Sequence, residues 1–260
     1  MDWLGREDVD VLAMQEIKCT AAQFPMDAFH DAGYDVELLG HNQWNGVAFA
    51  SRLPMSEVTL GFDTAPGFGK PLDDGTLPTE ARAMGVTVGG VRLWSLYVPN
   101  GRELDNPHYP YKLEWLASLA AQVRSWSAAN PDQPLALMGD FNIAPLDIDV
   151  WDIGAFQGRT HVSQPERDAF AALESAGLID TLRSRGIEGY TYWDYQQLRF
   201  PRNEGMRIDF VLGSRGFDDL VTAAAIHRNE RKGDAPSDHV PLTVDLDLET
   251  EDDDDRPMFL

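Results

Sequence analysis

Cysteine is almost absent. Cys19 is the only one in 260 residues, so no disulfide can form within the chain. That suits a reducing compartment, and the cytoplasm is the expected location. Basic residues are scarce as well: 21 Lys and Arg stand against 43 Asp and Glu, a formal net charge of −22. This balance argues against the broad basic face of an ordinary nucleic-acid-binding domain. Long apolar runs are missing. No stretch is long enough to span a bilayer, and the first residues lack the basic start and apolar middle of a signal peptide. No membrane partner is expected, and no repeat or linker breaks the chain.

What is present is ordinary for a folded protein. The hydrophobic fraction is 43% and the aromatic fraction 10%, which excludes wholesale disorder. The length suits one large layered domain, expected over residues 1–247. Residues 248–260 continue as an acidic tail, expected to be disordered and to serve solubility. The few basic residues cluster: Arg199, Arg202 and Arg207 in one place, Arg228, Arg231 and Lys232 in another. Screening confines repulsion to about 10 Å at ordinary salt, so such loops are expected to hold phosphates even on an acidic protein.

Strand-like runs recur as "VDVLAMQE", "GVAFAS", "MGVTVGGVRLWSLYV", "LALMGDFN", "RIDFVLGS" and "VPLTVDLDL". They alternate apolar and polar residues or are rich in β-branched ones. Gly89-Gly90 reads as the two-residue turn of a hairpin. Between the strands, "NPHYPYKLEWLASLAAQVRSWSAA" and "SQPERDAFAALESAGLIDTLRSRG" carry helical spacing. The second opens on Ser163 as N-cap, with Pro165 in the first turn and Glu166 completing a capping box. The chain itself starts in what reads as the second half of a helix, "MDWLGREDV". Hairpins mixed with helices predict an α+β or layered α/β/β/α body.

Four carboxylates fall at strand ends or inside apolar strands: Glu16, Asp140, Asp209 and Asp238, with Asn142 and His239 beside two of them. A carboxylate in such a place is costly unless paired, protonated or bound to metal. Four of them predict one acidic pocket that needs a cation, and oxygen donors favour Mg²⁺ or Mn²⁺ over zinc. Each element alone has a plainer reading. "GDFN" reads equally as a turn with Asx caps, Glu16 as a solvated strand end, and a lone histidine as structural.

Taken together and in order, "LAMQEIKC", "LYVPNG", "LMGDFNIAPLDIDVWD", "GMRIDFVL" and "PSDHVPL" resemble the exonuclease III family of apurinic/apyrimidinic (AP) endonucleases, within the endonuclease/exonuclease/phosphatase superfamily. "TEARAM" and the aromatic segment "TYWDYQQLRFPRNEGMRID" fit the same resemblance, which spans residues 2–247. It implies a four-layer α/β/β/α sandwich of two packed mixed sheets flanked by helices. It implies that Glu16 and Asp238 bind Mg²⁺, with Mn²⁺ as a substitute. Tyr97 contacts the scissile phosphate, Asp140 activates water or handles the leaving group, Asn142 positions Asp140, and Asp209 orients His239. Trp193, Tyr192 and Met206 match the apolar wall for an extruded abasic sugar. Beside the resemblance, Asn100, Arg102 and Lys112 are weaker candidates for contact with the DNA backbone and read equally as solvated. The partner implied is double-stranded DNA with abasic sites or 3′ ends, and the protein acting on it is a monomer. The expected activities are cleavage 5′ to abasic sites and removal of nucleotides or blocking groups from 3′ ends.

One departure stands out. Members of that family begin with a strand of the type "ATWNVNS", whose asparagine serves the metal and phosphate site, and this stretch is missing here. The fold is thus expected with its first strand missing, and a start placed too late is favoured over a truncated protein. Two other readings remain beside the leading one: a superfamily phosphodiesterase for another substrate, and a DNA-binding homologue impaired in catalysis.

Overall fold

A computed structural model describes residues 1–248. The expected acidic tail, 248–260, lies outside the described residues from 249 onward. In chain order the elements are α1 (Asp2–Glu7), β1 (Val11–Gln15), α2 (Met26–Asp31), β2 (Asp35–Leu39), β3 (Val47–Ser51), β4 (Ser56–Leu60), β5 (Ala83–Val88) and β6 (Val91–Tyr97). They continue as α3 (His108–Ala129), β7 (Leu135–Asp140), α4 (Gln164–Ser175), β8 (Ile179–Asp180), β9 (Asp209–Gly213), α5 (Arg215–Leu220), β10 (Val221–Ile226) and β11 (Leu242–Leu246).

Six strands make one sheet in the order β4-β5-β6-β7-β9-β8. Side chains alternate across a strand, and each face of this sheet meets a different layer. Trp94, Leu96, Leu135, Leu137, Phe210 and Leu212 point to one side, where Leu116, Leu119 and Val123 of α3 and Phe170 and Leu173 of α4 cover them. Met84, Val86, Leu93, Ala136 and Val211 point to the other side, against Val47 and Phe49 of β3. Beyond that second layer, Leu4 of α1 and Phe29 of α2 pack on Ala50 of β3. The order is helices, sheet, sheet, helices, as the resemblance implies. Strands buried on both faces read as near-continuous apolar runs, which is why "GVAFAS" shows no alternation.

The second layer is in two pieces, β1-β3-β2 and β10-β11. Strand β1 packs over β6 and β7, and β11 packs over β9. Among the described residues, neither β1 nor β11 pairs with a further strand on the side facing the other.

The hairpin turn is as read: β5 and β6 pair antiparallel from Val88↔Val91 outward, and Gly89 and Gly90 have φ of 54° and 78°. Ser163 caps α4 and forms the capping box with Glu166. The helical pattern over 163–186 does not hold to its end. The helix stops at Ser175, and Ile179–Asp180 form a short edge strand on β9. No helix among the described residues is long and apolar enough to cross a membrane.

Candidate active site

Strand register assembles the centre of the site. Parallel pairing of β6 with β7 sets Tyr97 beside Asp140, and antiparallel pairing of β7 with β9 sets Asp140 beside Asp209. Paired residues on neighbouring strands point to the same face, so three chemically active side chains stand in one row at one edge of the sheet.

Asp140 is buried, and Asn142 holds it from two directions. The Asn142 amide donates to Asp140 Oδ1 at 2.8 Å, and its side-chain Nδ2 donates to Asp140 Oδ2 at 3.0 Å and to the Val98 carbonyl at 3.0 Å. One residue can reach both oxygens because Asn142 takes a left-handed backbone, φ 53°, which asparagine tolerates better than most side chains. Gly139 has φ 135°, and a Cβ there would lie 2.1 Å from the Leu96 carbonyl oxygen. Only glycine allows β7 to approach β6 so closely at this point. Burial raises the Asp140 carboxyl to about 7; Asp209 and Glu16 push the same way, and His239 opposes them.

His239 reaches the row from a loop. An isolated antiparallel bridge joins it to Tyr192, and the Val240 amide donates to the Thr191 carbonyl at 2.8 Å. Its Nδ1 donates to both Asp209 oxygens, at 3.1 and 2.9 Å. Asp209 is fixed in turn by its own amide, which donates to Thr191 Oγ1 at 3.1 Å. Burial alone would lower the imidazole, but the Asp209, Asp140 and Asp238 carboxylates outweigh it and raise His239 to about 10.

Glu16 follows β1 across the gap between the sheets. Burial pushes its carboxyl up, and Lys18 and Tyr97 pull it below its ordinary value. Lys18 forms an ion pair with it. The Tyr97 phenol, kept protonated by burial and by Glu16, lies beside the same carboxylate, and the Arg82 guanidinium covers its ring at 4.9 Å. One ligand atom from each of Glu16, Asp140 and His239 lies within 4.8 Å of the others. Two carboxylate donors suit a hard divalent cation. The Lys18 ammonium on Glu16 shows that the site already draws positive charge. Asp238, read as the second metal-binding acid, is not in this set; Asp140 stands in its place.

The aromatic segment needs a correction. Trp193 is fully buried. Its ring packs on Tyr190 and edge-on against Phe200, 5.1 Å between centroids, so it is core and not an open wall. Its neighbour Tyr192 points to the opposite side and meets His239 at 4.9 Å. Tyr192 and Met206 are bridged and join a small apolar cluster with Ala144, Val150 and Ile208. The alternation of an extended chain explains the swap: consecutive residues face opposite ways.

The basic clusters are in part engaged within the chain, while Arg202, Arg228 and Lys232 stay exposed. Arg199 and Arg202 share Glu204, at 2.5 and 2.8 Å. Arg207 is buried on Asp180, at 2.6 and 2.7 Å. Arg228 stacks on Trp193 and Phe200. Arg231 lies over Tyr195 and Phe200. Lys112, read as a backbone contact, is buried against Glu166. Arg102 remains exposed. Asn100 is exposed but committed: its Nδ2 donates to Asn142 Oδ1 at 3.0 Å, and its Oδ1 accepts from the Arg102 amide at 2.8 Å.

The family model described as Endonuclease/Exonuclease/phosphatase family matches residues 1–239. The chain belongs to that family. Its relatives place it in the exonuclease III and AP endonuclease branch, among the nucleases. DNA repair nuclease APEX1 of Danio rerio is 28% identical over 254 residues, covering 95% of this chain and 76% of that protein. Exodeoxyribonuclease III of Haemophilus influenzae is 27% identical over 249 residues, covering 91% of this chain and 90% of that protein. Among solved structures, the 3′ phosphatase NExo from Neisseria, bound to a product DNA hairpin, superposes with a TM-score of 0.86 at 33% identity. The match covers 95% of this chain and 92% of that one. The AP endonuclease of Archaeoglobus fulgidus gives 0.85 at 29% identity, with the same coverages.

The site is buttressed by residues whose place in it the sequence did not reveal. His161 Nε2 lies 3.3 Å from Asn142 Oδ1. Thr191 anchors Asp209, and the Lys112–Glu166 pair lies behind Asn142. Of these, Lys112 reads in sequence as a contact to the DNA backbone and Glu166 as part of a capping box; His161 and Thr191 carry no signal.

Proposed function

We propose that this chain is a Mg²⁺-dependent DNA-repair nuclease that hydrolyses phosphodiesters 5′ to abasic sites and trims duplex 3′ ends. The observation that carries the reading is the row Tyr97–Asp140–Asp209 with His239 locked on Asp209 and Glu16 beside it. Hydrolysis of a phosphodiester needs a deprotonated in-line water, relief of charge on the phosphoryl oxygens and help for the leaving oxygen.

The residues divide that work. Asp140, with its carboxyl near 7, takes a proton from the attacking water. Asn142 aims it. His239 is charged at neutral pH, and with Nδ1 committed to Asp209 it presents Nε2–H to a phosphoryl oxygen. Tyr97 keeps its proton and offers a hydrogen bond to the same phosphate. Glu16 and Asp140 are the oxygen donors that would hold the metal; His239, as a cation, is not suited to be a ligand. Bound Mg²⁺ supplies Lewis-acid stabilisation of the phosphoryl charge and leaving oxygen.

Tyr192, backed by the buried Met206 and Ile208, offers a small apolar surface beside His239. An abasic nucleotide has no base to unstack and is cheap to extrude, so such a surface selects it. The residues named here all come from one chain, which suits a monomer. The test is incision of a duplex carrying one abasic site, assayed with Mg²⁺, with Mn²⁺ and with chelator. Metal-dependent nicking 5′ to the lesion supports the reading, and metal-independent or absent nicking counts against it.

A further inference from the structure

Asn142 is held from behind by a buried ion pair that the chemistry above does not use. Lys112 on α3 and Glu166 in the first turn of α4 are both fully buried. The Lys112 ammonium donates to the Asn142 carbonyl oxygen at 2.6 Å and to the Glu166 carboxylate. Glu166 accepts in addition from the Ser163 amide at 3.2 Å and the Ser163 hydroxyl at 2.7 Å. Tyr109 Oη lies 2.7 Å from Ser163 Oγ and extends the network to the start of α3.

Burying two charges costs several kcal/mol for each ion, and a well-packed apolar pair of similar size is often as stable. Stability of the α3–α4 contact is therefore a poor reason for this pair. Its geometry supplies another. Asn142 sits at φ 53°, and the direction of its carbonyl is tied to the direction of its amide and side chain. Those two donors hold the two oxygens of Asp140. On its other side, the Asn142 side-chain oxygen accepts from Asn100 Nδ2. Val98 and Asn100 act on the side chain; Lys112 is the group that acts on the carbonyl.

We propose that Lys112 is a positioning residue: its ammonium, neutralised by Glu166, fixes the Asn142 carbonyl and thereby aims the Asp140 carboxylate at the attacking water. This rests on Asp140 being the base. The test compares the wild type, the double variant Lys112→Met/Glu166→Gln and Lys112→Met, on an abasic-site duplex with saturating Mg²⁺, alongside thermal unfolding. The double variant removes both charges together and leaves no lone ion in the core, while the glutamine oxygen still accepts from Ser163. It is expected to melt close to the wild type and to keep KM, with kcat lower by about 10- to 100-fold, the range that small misplacement of a reacting group produces. A folded double variant with wild-type kcat overturns the proposal. Where the double variant does not fold, Lys112→Met decides, assayed below its own melting temperature. Glu166, left alone in the core, takes up a proton, and the donor to the Asn142 carbonyl is gone. Here kcat is expected to fall by the same factor of about 10- to 100-fold at unchanged KM, whereas wild-type kcat overturns the proposal. A wild type that does not nick at all would instead tell against the functional reading.

Discussion

Asp209 and His239, 30 residues apart in sequence, share two contacts of 3.1 and 2.9 Å through a single ring nitrogen. That pairing makes the histidine a fixed cation instead of a group poised near neutrality. Replacing Asp209 with Asn removes the charge and keeps the shape. The imidazole should then fall from about 10 toward the ordinary histidine range near 6.5. The basic limb of kcat/KM should move down with it, and the rate at pH 8 should drop by about 30-fold. A pH–rate profile of the two proteins checks this; coincident basic limbs would contradict it.

The acid limb belongs to Asp140. Activity should rise as this carboxyl ionises, below about 7 in the presence of Mg²⁺ because a cation on the same carboxylate favours its charged form. The same shift has a stability consequence of opposite sign. The carboxyl is raised above its ordinary 3.8. The folded state therefore holds a proton that the unfolded chain gives up, and this contribution is lost as pH rises through about 7. Asp140→Asn cannot ionise, so at pH 8 without metal it should melt a few degrees above the wild type, at about 2–4 °C per kcal/mol for a domain of this size. Thermal unfolding at pH 5 and pH 8 tests it, and the gap between the proteins should widen at the higher pH.

Metal dependence should follow Glu16. Glu16→Gln removes an oxygen charge while leaving Asp140 and His239 in place. The Mg²⁺ concentration for half-maximal rate should rise by about tenfold or more, in line with losing about 1.4 kcal/mol or more of binding. Mg²⁺ should also raise the melting temperature of the wild type more than that of the variant. Equal Mg²⁺ titrations would remove Glu16 from the metal site.

Tyr192 and Trp193 should separate cleanly. Trp193→Ala empties a fully buried site and should cost about 3–5 kcal/mol of stability. Tyr192→Ala removes a half-exposed ring beside His239. It should change melting little and raise KM for the abasic duplex several-fold. Thermal unfolding and steady-state kinetics of both variants check the assignment.

The catalytic row was legible in the sequence because its members sit at the ends of three strong strands, where apolar runs break into Asp140-Phe141-Asn142 and Arg207-Ile208-Asp209. The hairpin at Gly89-Gly90 and the cap at Ser163 were legible for the same reason: local chemistry decides them. Strands β2, β4 and β10 were not. "DVELL", "SEVTL" and "VTAAAI" are short and mixed, and pairing alone makes them strands. Trp193 was misplaced because the direction of a side chain in a loop depends on bridges to distant residues, here Met206 and His239 for its neighbour Tyr192. Lys112 looked like a solvated helix lysine, since nothing local foretells that Glu166 will meet it from another helix. The arginine clusters misled in the same way: Glu204 and Asp180 take their charge.

The most direct measurement is single-turnover incision of an abasic-site duplex by Asp140→Asn, with saturating Mg²⁺ and DNA binding measured in parallel. The buried carboxylate between Glu16 and His239 is the base in this account, so incision should fall by about 10³-fold or more while the duplex is still bound. Nicking at the wild-type rate would show that the water is activated elsewhere.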